Sequence, residues 1–214
     1  MKRIISIILI SVGCLLIVTS LILSFSSKKN NNSNDKPKDN SNDKPNDKSD
    51  DKKKENILEN NGWVYILPEG WKDEGTDSNG RSVTFPNTVD GVTCYNGTHF
   101  NISSSKPMKT SMDELFSESS IFIKTIENST FIKLVEDHKI IQHNNKPVMI
   151  FPFKFVDDES SLAFRVLTPA DDEYYYDFQL YSNRIIDGQD EMFFNYDAVL
   201  LFVDFLNTGV KKDS

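Results

Sequence analysis

The chain has 214 residues, 26% of them charged, and a formal net charge of −8. The charge is uneven: residues 1–56 hold 11 Lys/Arg against 7 Asp/Glu, while the remainder holds 13 against 25, a net −12. So acidic a C-terminal portion is repelled by polyanions, which excludes nucleic acid as a partner, and two cysteines, Cys14 and Cys94, are too few for a disulfide scaffold.

Residues 4–25 contain no charge. As a helix this stretch reaches about 33 Å, enough to cross a hydrocarbon core of about 30 Å. Lys2 and Arg3 precede it and favour a cytoplasmic N-terminus. The predicted arrangement is a signal anchor over residues 1–27: one transmembrane helix, single-pass in the cell membrane, with the C-terminal domain outside the cytoplasm. Two other routes stay open. One is cleavage near Ser24-Phe25-Ser26, and the other is lipidation at Cys14, which follows Ser11-Val12-Gly13. All three place the rest of the chain outside the cytoplasm.

Residues 28–56 form an Asn/Asp/Lys/Pro linker with a short period-eight repeat, NDKPKDNS at 34–41 and NDKPNDKS at 42–49. Without apolar side chains it has nothing to offset its ordering entropy, so it is expected to be disordered. Counted from Ser26, its 31 residues give a coil reach of roughly 30 Å. A hydrophilic tether of this kind, in an Asn/Lys/Ile-rich chain, fits a bacterial surface protein.

The rest, residues 57–210, reads as one extracytoplasmic globular domain. Residues 63–67 (WVYIL) make a strand closed by Pro68-Glu69-Gly70, and Asp77-Ser78-Asn79-Gly80 makes a second turn. A strand over 81–85 ends at Pro86, and strands over 90–95 and 98–104 form a hairpin around Asn96-Gly97. Residues 111–128 predict a helix. Ser111 and Glu114 form its capping box, and Leu115, Phe116, Ser119, Phe122, Ile123 and Ile126 lie along one face. Strands follow over 131–135, 139–142, 148–156, 162–168 and 173–181, the last three as an antiparallel meander. Pro152 marks a bulge or an edge. A second helix spans about 190–206, capped by Asp187 or Asp190, with Met192, Tyr196, Val199, Phe202, Val203 and Leu206 buried. Gly209 suits its C-terminal cap, and Lys211 and Lys212 its dipole.

This order predicts an α+β fold, an antiparallel sheet packed by helices. Residues 65–72, YILPEGWK, with Leu67-Pro68-Glu69-Gly70-Trp71 at their centre, resemble the opening of the PsbP-like family. The resemblance runs from Asn61 to Val210. That family includes an extrinsic photosystem II subunit, a nuclear-import factor that binds a small GTPase, and bacterial lipoproteins. The resemblance implies an α/β/α sandwich. It implies no activity, because the family shares none.

The search for chemistry is largely empty. His99, His138 and His143 have no ligand spacing, and each reads as a surface or turn residue. Residues 75–86 approach a calcium loop through Asp77, Asn79 and Gly80 but carry Gly75 and Pro86 where it needs acids. Acidic clusters occur at Asp157-Asp158-Glu159 and Asp171-Asp172-Glu173, and Cys94 reads as a small buried residue. Asn96 and Asn101 open formal glycosylation sequons. No catalytic, metal-ligating or cofactor-binding residue is assigned. One stripe of the last strand, Tyr175, Asp177, Gln179 and Tyr181, mixes aromatic and polar groups as recognition surfaces do, although packing beneath a helix also suits it. The leading expectation is a membrane-tethered interaction or binding module without catalysis, with the membrane and an envelope protein as partners. The alternatives are a hydrolase built on the acidic turns and a carrier of a small apolar ligand.

Overall fold

A computed structural model describes residues 56–158 and 160–212. The expected membrane helix and linker lie outside the described residues. Among those described, no helix is long and apolar enough to cross a membrane.

Among the described residues, twelve strands and three α-helices follow one another as strands, helices, strands, helix. The first strands are β1 (Ile57–Asn60), β2 (Trp63–Ile66), β3 (Lys72–Asp77), β4 (Gly80–Val89) and β5 (Val92–Ser104). Helices α1 (Met112–Leu115) and α2 (Ile121–Glu127) follow. Then come β6 (Ile132–Leu134), β7 (Lys139–His143), β8 (Lys146–Phe155), β9 (Leu162–Pro169), β10 (Tyr174–Ile186) and β11 (Gln189–Met192). Helix α3 (Tyr196–Leu206) and β12 (Val210–Lys211) close the chain. The main sheet runs β3-β4-β5-β10-β9-β8-β6, with β11 on β10 and β7 on β8, and every pairing is antiparallel. A smaller antiparallel sheet runs β1-β2-β12. The described residues adopt the expected α+β class, as a mostly antiparallel sheet with few helices.

Alternation along the strands sorts side chains onto two faces. One face carries Val83, Phe85, Phe100, Val148, Ile150, Phe164, Val166, Tyr176, Phe178 and Leu180. Helix α3 and the inner side of the small sheet (Leu58, Trp63, Tyr65) pack on it. On the opposite face, Met149, Phe151, Leu167 and Tyr175 meet Leu115, Phe116, Ile123 and Ile126 of the α1–α2 segment.

Four local expectations are corrected. The β4–β5 turn is Asp90-Gly91, both at positive φ (51° and 80°), and not Asn96-Gly97. Asn96 is interior to β5, where its Nδ2 donates to the carbonyl of Phe85 at 3.1 Å. Of two sequence signals for a tight turn, the Asp-Gly pair closes a hairpin long enough to cross the whole core. Nor does Pro86 end β4. The β3 pairing stops at Thr84, so no partner on that side asks Pro86 for a donor.

The predicted helix over 111–128 is broken in two. Ser111 caps α1 as expected, accepting from Glu114 N at 3.2 Å. But Ser117 Oγ donates to the Glu114 carbonyl at 2.9 Å, and Ser120 Oγ donates to the Leu115 carbonyl and accepts from Phe122 N at 3.1 Å. Hydroxyls that take over backbone partners stop one helix and start the next. Finally, residues 189–192 pair with β10 through an Asp187-Gly188 turn, and α3 begins only at Tyr196. Its cap is Asn195, whose Oδ1 accepts from Ala198 N at 3.1 Å, and not Asp187 or Asp190. The buried stripe Val199, Phe202, Val203 and Leu206 is as expected.

The irregularity expected at Pro152 is present in a different form. Strand β7 pairs β8 up to Ile150 and β6 pairs it from Phe153, so Pro152 falls in the gap between two short edge strands.

Two details of the main core yield predictions. Gly209 lies against the ring of Tyr65, and a Cβ there would enter the space of the ring. Gly209→Ala is therefore expected to cost about 1–3 kcal/mol through overpacking, read as a lower urea midpoint at unchanged slope. Next to it, the Tyr65 hydroxyl donates to that of Tyr176 at 3.3 Å, which donates to the Leu206 carbonyl at 3.0 Å. Burial, then the neighbouring Tyr176 oxygen, holds the Tyr65 hydroxyl far above its ordinary value of 10.0. Burial pushes Tyr176 up to about 12. Both stay protonated in the fold after the unfolded chain has begun to ionise. Stability is thus intact below about pH 10 and falls as pH rises toward about 12, by about 2–3 kcal/mol from Tyr176 alone. Thermal midpoints between pH 8 and 12 check this, and a flat profile would contradict it.

Candidate recognition face of the sheet

Strand β10 lies between β5 and β9, in the interior of the sheet. Its residues Tyr175, Asp177, Gln179 and Tyr181 point away from α3, on the face partly covered by α1 and α2. The structure divides the stripe. Tyr175 is buried in the α1–α2 layer, with the Phe122 ring 5.1 Å away. Asp177, Gln179 and Tyr181 are half-buried, on the part of the face beyond that layer.

There the register brings polar groups into transverse rows. One row is Ser82, His99, Gln179 and Arg165, on β4, β5, β10 and β9. On one side of it lie Asn101 and Asp177, which are paired, and on the other Thr84, Gly97 and Tyr181. Tyr95, two residues from Gly97 on the same face, is 60% exposed. A Cβ added at Gly97 would meet nothing within 4 Å, so this glycine leaves a notch between Thr84 and Tyr181.

These side chains largely hold one another. Arg165 grips Asp177 with both ends of its guanidinium, Nε to Oδ1 at 3.1 Å and Nη2 to Oδ2 at 2.7 Å. The Tyr181 hydroxyl donates to Gln179 Oε1 at 2.9 Å, and burial pushes its pKa up to about 12, so it remains a neutral donor. Thr84 Oγ1 donates to Glu74 Oε1 at 2.8 Å. His99 Nδ1 is buried without a hydrogen bond, with Asp77 Oδ2 3.6 Å away. The result is a rigid surface of planar amides, an imidazole and phenols, suited to hydrogen bonding and ring stacking.

The other singled-out residues do not converge. His138 stands between Glu118 and Glu127, at 3.1 and 3.5 Å, and His143 contacts Asp204 at 2.6 Å. Among the described residues, no group of three or more His, Cys, Asp or Glu could hold a metal ion. Asp77 Oδ1 accepts from Asn79 N at 2.7 Å within the β3–β4 turn. The acidic turns use their carboxylates locally. Asp158 accepts from the hydroxyl and backbone N–H of Ser160, which lowers its pKa, and Asp171 accepts from the N–H groups of Glu173 and Tyr174. Cys94 is fully buried, as expected. Asn96 is buried and Asn101 Nδ2 donates to the Asn79 carbonyl at 2.7 Å, so both sequon amides are engaged inside the domain.

Sequence reasoning found the β10 stripe but missed Ser82, Tyr95, His99 and Arg165 beside it. Reading β5 through Gly97 as one strand would have placed Tyr95, Gly97, His99 and Asn101 on a single face.

Fold and face together define an α+β domain with one partly open, polar and aromatic sheet surface. No family model and no curated protein matches the chain. Among solved structures it is similar to the solution structure of cyanobacterial PsbP (CyanoP) from Synechocystis sp. PCC 6803. The match covers 70% of this chain and 86% of that one, at 14% identity and a TM-score of 0.38. The chain therefore bears a weak PsbP-like resemblance.

Proposed function

We propose that the protein is a membrane-tethered, extracytoplasmic binding module without catalysis, and that the open part of the sheet face is its recognition surface. The row Ser82, His99, Gln179 and Arg165, flanked by Tyr95 and Tyr181, carries this reading. Side chains held by their neighbours lose little freedom on binding, which favours a standing recognition surface. The uncharged stretch over residues 4–25 and the polar linker support the tether and a single-pass bacterial membrane protein with its domain outside the cytoplasm. We also assign the domain to the α/β/α sandwich architecture. Support comes from α1 and α2 on one face of the sheet and α3 on the other.

The test is capture from envelope extract by the full chain, beside the variant Tyr95→Ala, His99→Ala, Gln179→Ala. A specific partner is expected to be enriched by the parent and lost from the variant while its circular dichroism is unchanged. Equal recovery by both would remove the face from consideration, and no enriched partner in repeated trials would count against a binding module. Mass measurement of the mature N-terminus distinguishes a retained anchor from cleavage or lipidation at Cys14.

A further inference from the structure

The small sheet carries a second surface, unrelated to the recognition face. Its inner side chains, Leu58, Trp63 and Tyr65, are in the core. Alternation turns Ile57, Val64, Ile66 and Val210 outward together. Ile57 pairs directly with Ile66, and Val210 with Val64. Ile57, Ile66 and Val210 are 54%, 58% and 67% exposed, and Val64 is half-buried. Single exposed aliphatic residues are ordinary, but four in register on one sheet face form a patch. A sheet with one face in the core ordinarily turns polar residues to water. Glu59 shares this outer face, directly opposite Val64, and accepts from Lys212 Nζ at 2.7 Å, so the one carboxylate on the patch is neutralised by its neighbour in a strongly acidic domain.

The position of the patch in the chain indicates what covers it. It starts at Ile57, immediately after the linker that follows the uncharged residues 4–25. We infer that the outer face of the β1-β2-β12 sheet rests on the lipid surface to which residues 4–25 tie the chain, an inference that depends on the anchor proposed above. Four aliphatic side chains expose a few hundred Å² at most, well short of the roughly 800 Å² per partner of a stable protein interface. A second copy is therefore poorly served by this patch, and so is a free domain binding to vesicles from solution. A tethered domain is different. A linker with the coil reach of roughly 30 Å expected from its composition would hold the patch at millimolar effective concentration near the bilayer, where a weak apolar contact becomes populated. The net charge of the domain opposes contact with anionic lipid only within a Debye length of about 8 Å at physiological salt, so a zwitterionic surface is the favourable one.

The experiment uses the full chain with Cys14→Ser, reconstituted into phosphatidylcholine vesicles. An environment-sensitive fluorophore is attached through Val210→Cys or, as a control, through Ile121→Cys on α2, which packs on the opposite face of the main sheet; Cys94 is buried and stays unlabelled. The Val210→Cys label is expected to shift to the blue and lose most of its emission to lipids carrying a doxyl group near the headgroup. The Ile121→Cys label is expected to do neither, and Ile66→Asp is expected to abolish the response with flotation intact. An equal response at the two positions, both quenched or both unquenched, overturns the contact while leaving the anchor standing. A blue shift that follows protein density and ignores doxyl lipid assigns the patch to a second copy and also overturns it. A chain that does not float with the vesicles removes the anchor, and the lipid contact with it.

Discussion

Phe202→Ala is expected to destabilise the domain by about 3–5 kcal/mol, a large share of the 5–15 kcal/mol typical of a whole domain. Phe202 is fully buried on the inner face of α3. Its ring lies 5.0 Å from that of Phe178, 5.6 Å from each of Phe85, Phe100 and Phe205, and 6.0 Å from Trp71. These rings come from β4, β5, β10, α3 and the segment after β2, so one side chain couples nearly every part of the larger core. Alanine is the better helix former, so helix propensity contributes nothing to the loss. What remains is a cavity walled by aromatic rings. Urea unfolding followed by the fluorescence of the two buried tryptophans, Trp63 and Trp71, reads the effect. Leu201→Ala, one residue earlier and 39% exposed, supplies the comparison at under about 1 kcal/mol. Equal losses at the two positions would show that the cluster is not the centre of the fold.

Asn195→Ala is expected to cost about 2–4 kcal/mol, from two separable sources. Asn195 Oδ1 caps α3. Its Nδ2 donates to Asn87 Oδ1 at 3.0 Å and to Asn96 Oδ1 at 3.3 Å, and Ser182 Oγ also donates to Asn96 Oδ1, at 2.6 Å. This buried amide network pins the start of α3 to β4, β5 and β10. Alanine removes the cap and one of two donors from each acceptor, leaving Asn87 Oδ1 with Asn96 Nδ2 and Asn96 Oδ1 with Ser182 Oγ. Asn195→Asp separates the two effects, because it keeps the capping oxygens but places a carboxylate against two carbonyl oxygens. Burial raises the pKa of such an acid in the folded state, so the variant loses stability as pH rises and recovers it on acidification. Unfolding midpoints of the two variants at pH 4 and pH 7 would show the difference; parallel behaviour would mean that the network carries no weight.

The meander over β8, β9 and β10 was legible in the sequence because Met149/Phe151/Phe153 and Tyr176/Phe178/Leu180 alternate without interruption. The stripe of α3 was legible for the same reason at helical spacing. Strand β3, KDEGTD, was not, because it is an exposed edge strand with a bulge between Asp73 and Gly75 and no apolar side chain to announce it. Nor was β1, since a four-residue strand shows its alternation only beside a known partner. The candidate face was half legible. Alternation set the β10 residues on one side, but His99 and Arg165 join Gln179 only through strand register, which no local pattern carries. A misplaced turn at Asn96-Gly97 was enough to hide it.

The placement of β1 and β2 has a consequence for the timing of folding. Their inward side chains, Leu58, Trp63 and Tyr65, pack with Phe205 and Leu206 of α3, and β2 gains its second neighbour only from Val210 and Lys211. Among the described residues, the most N-terminal strands are thus completed by the most C-terminal one. The central pairing of β5 with β10 joins Cys94 to Arg184 and Ser104 to Tyr174, so it too waits for most of the chain. Such distant pairings slow folding. They also keep the outer edge of β2 unpaired until Val210 and Lys211 have joined it.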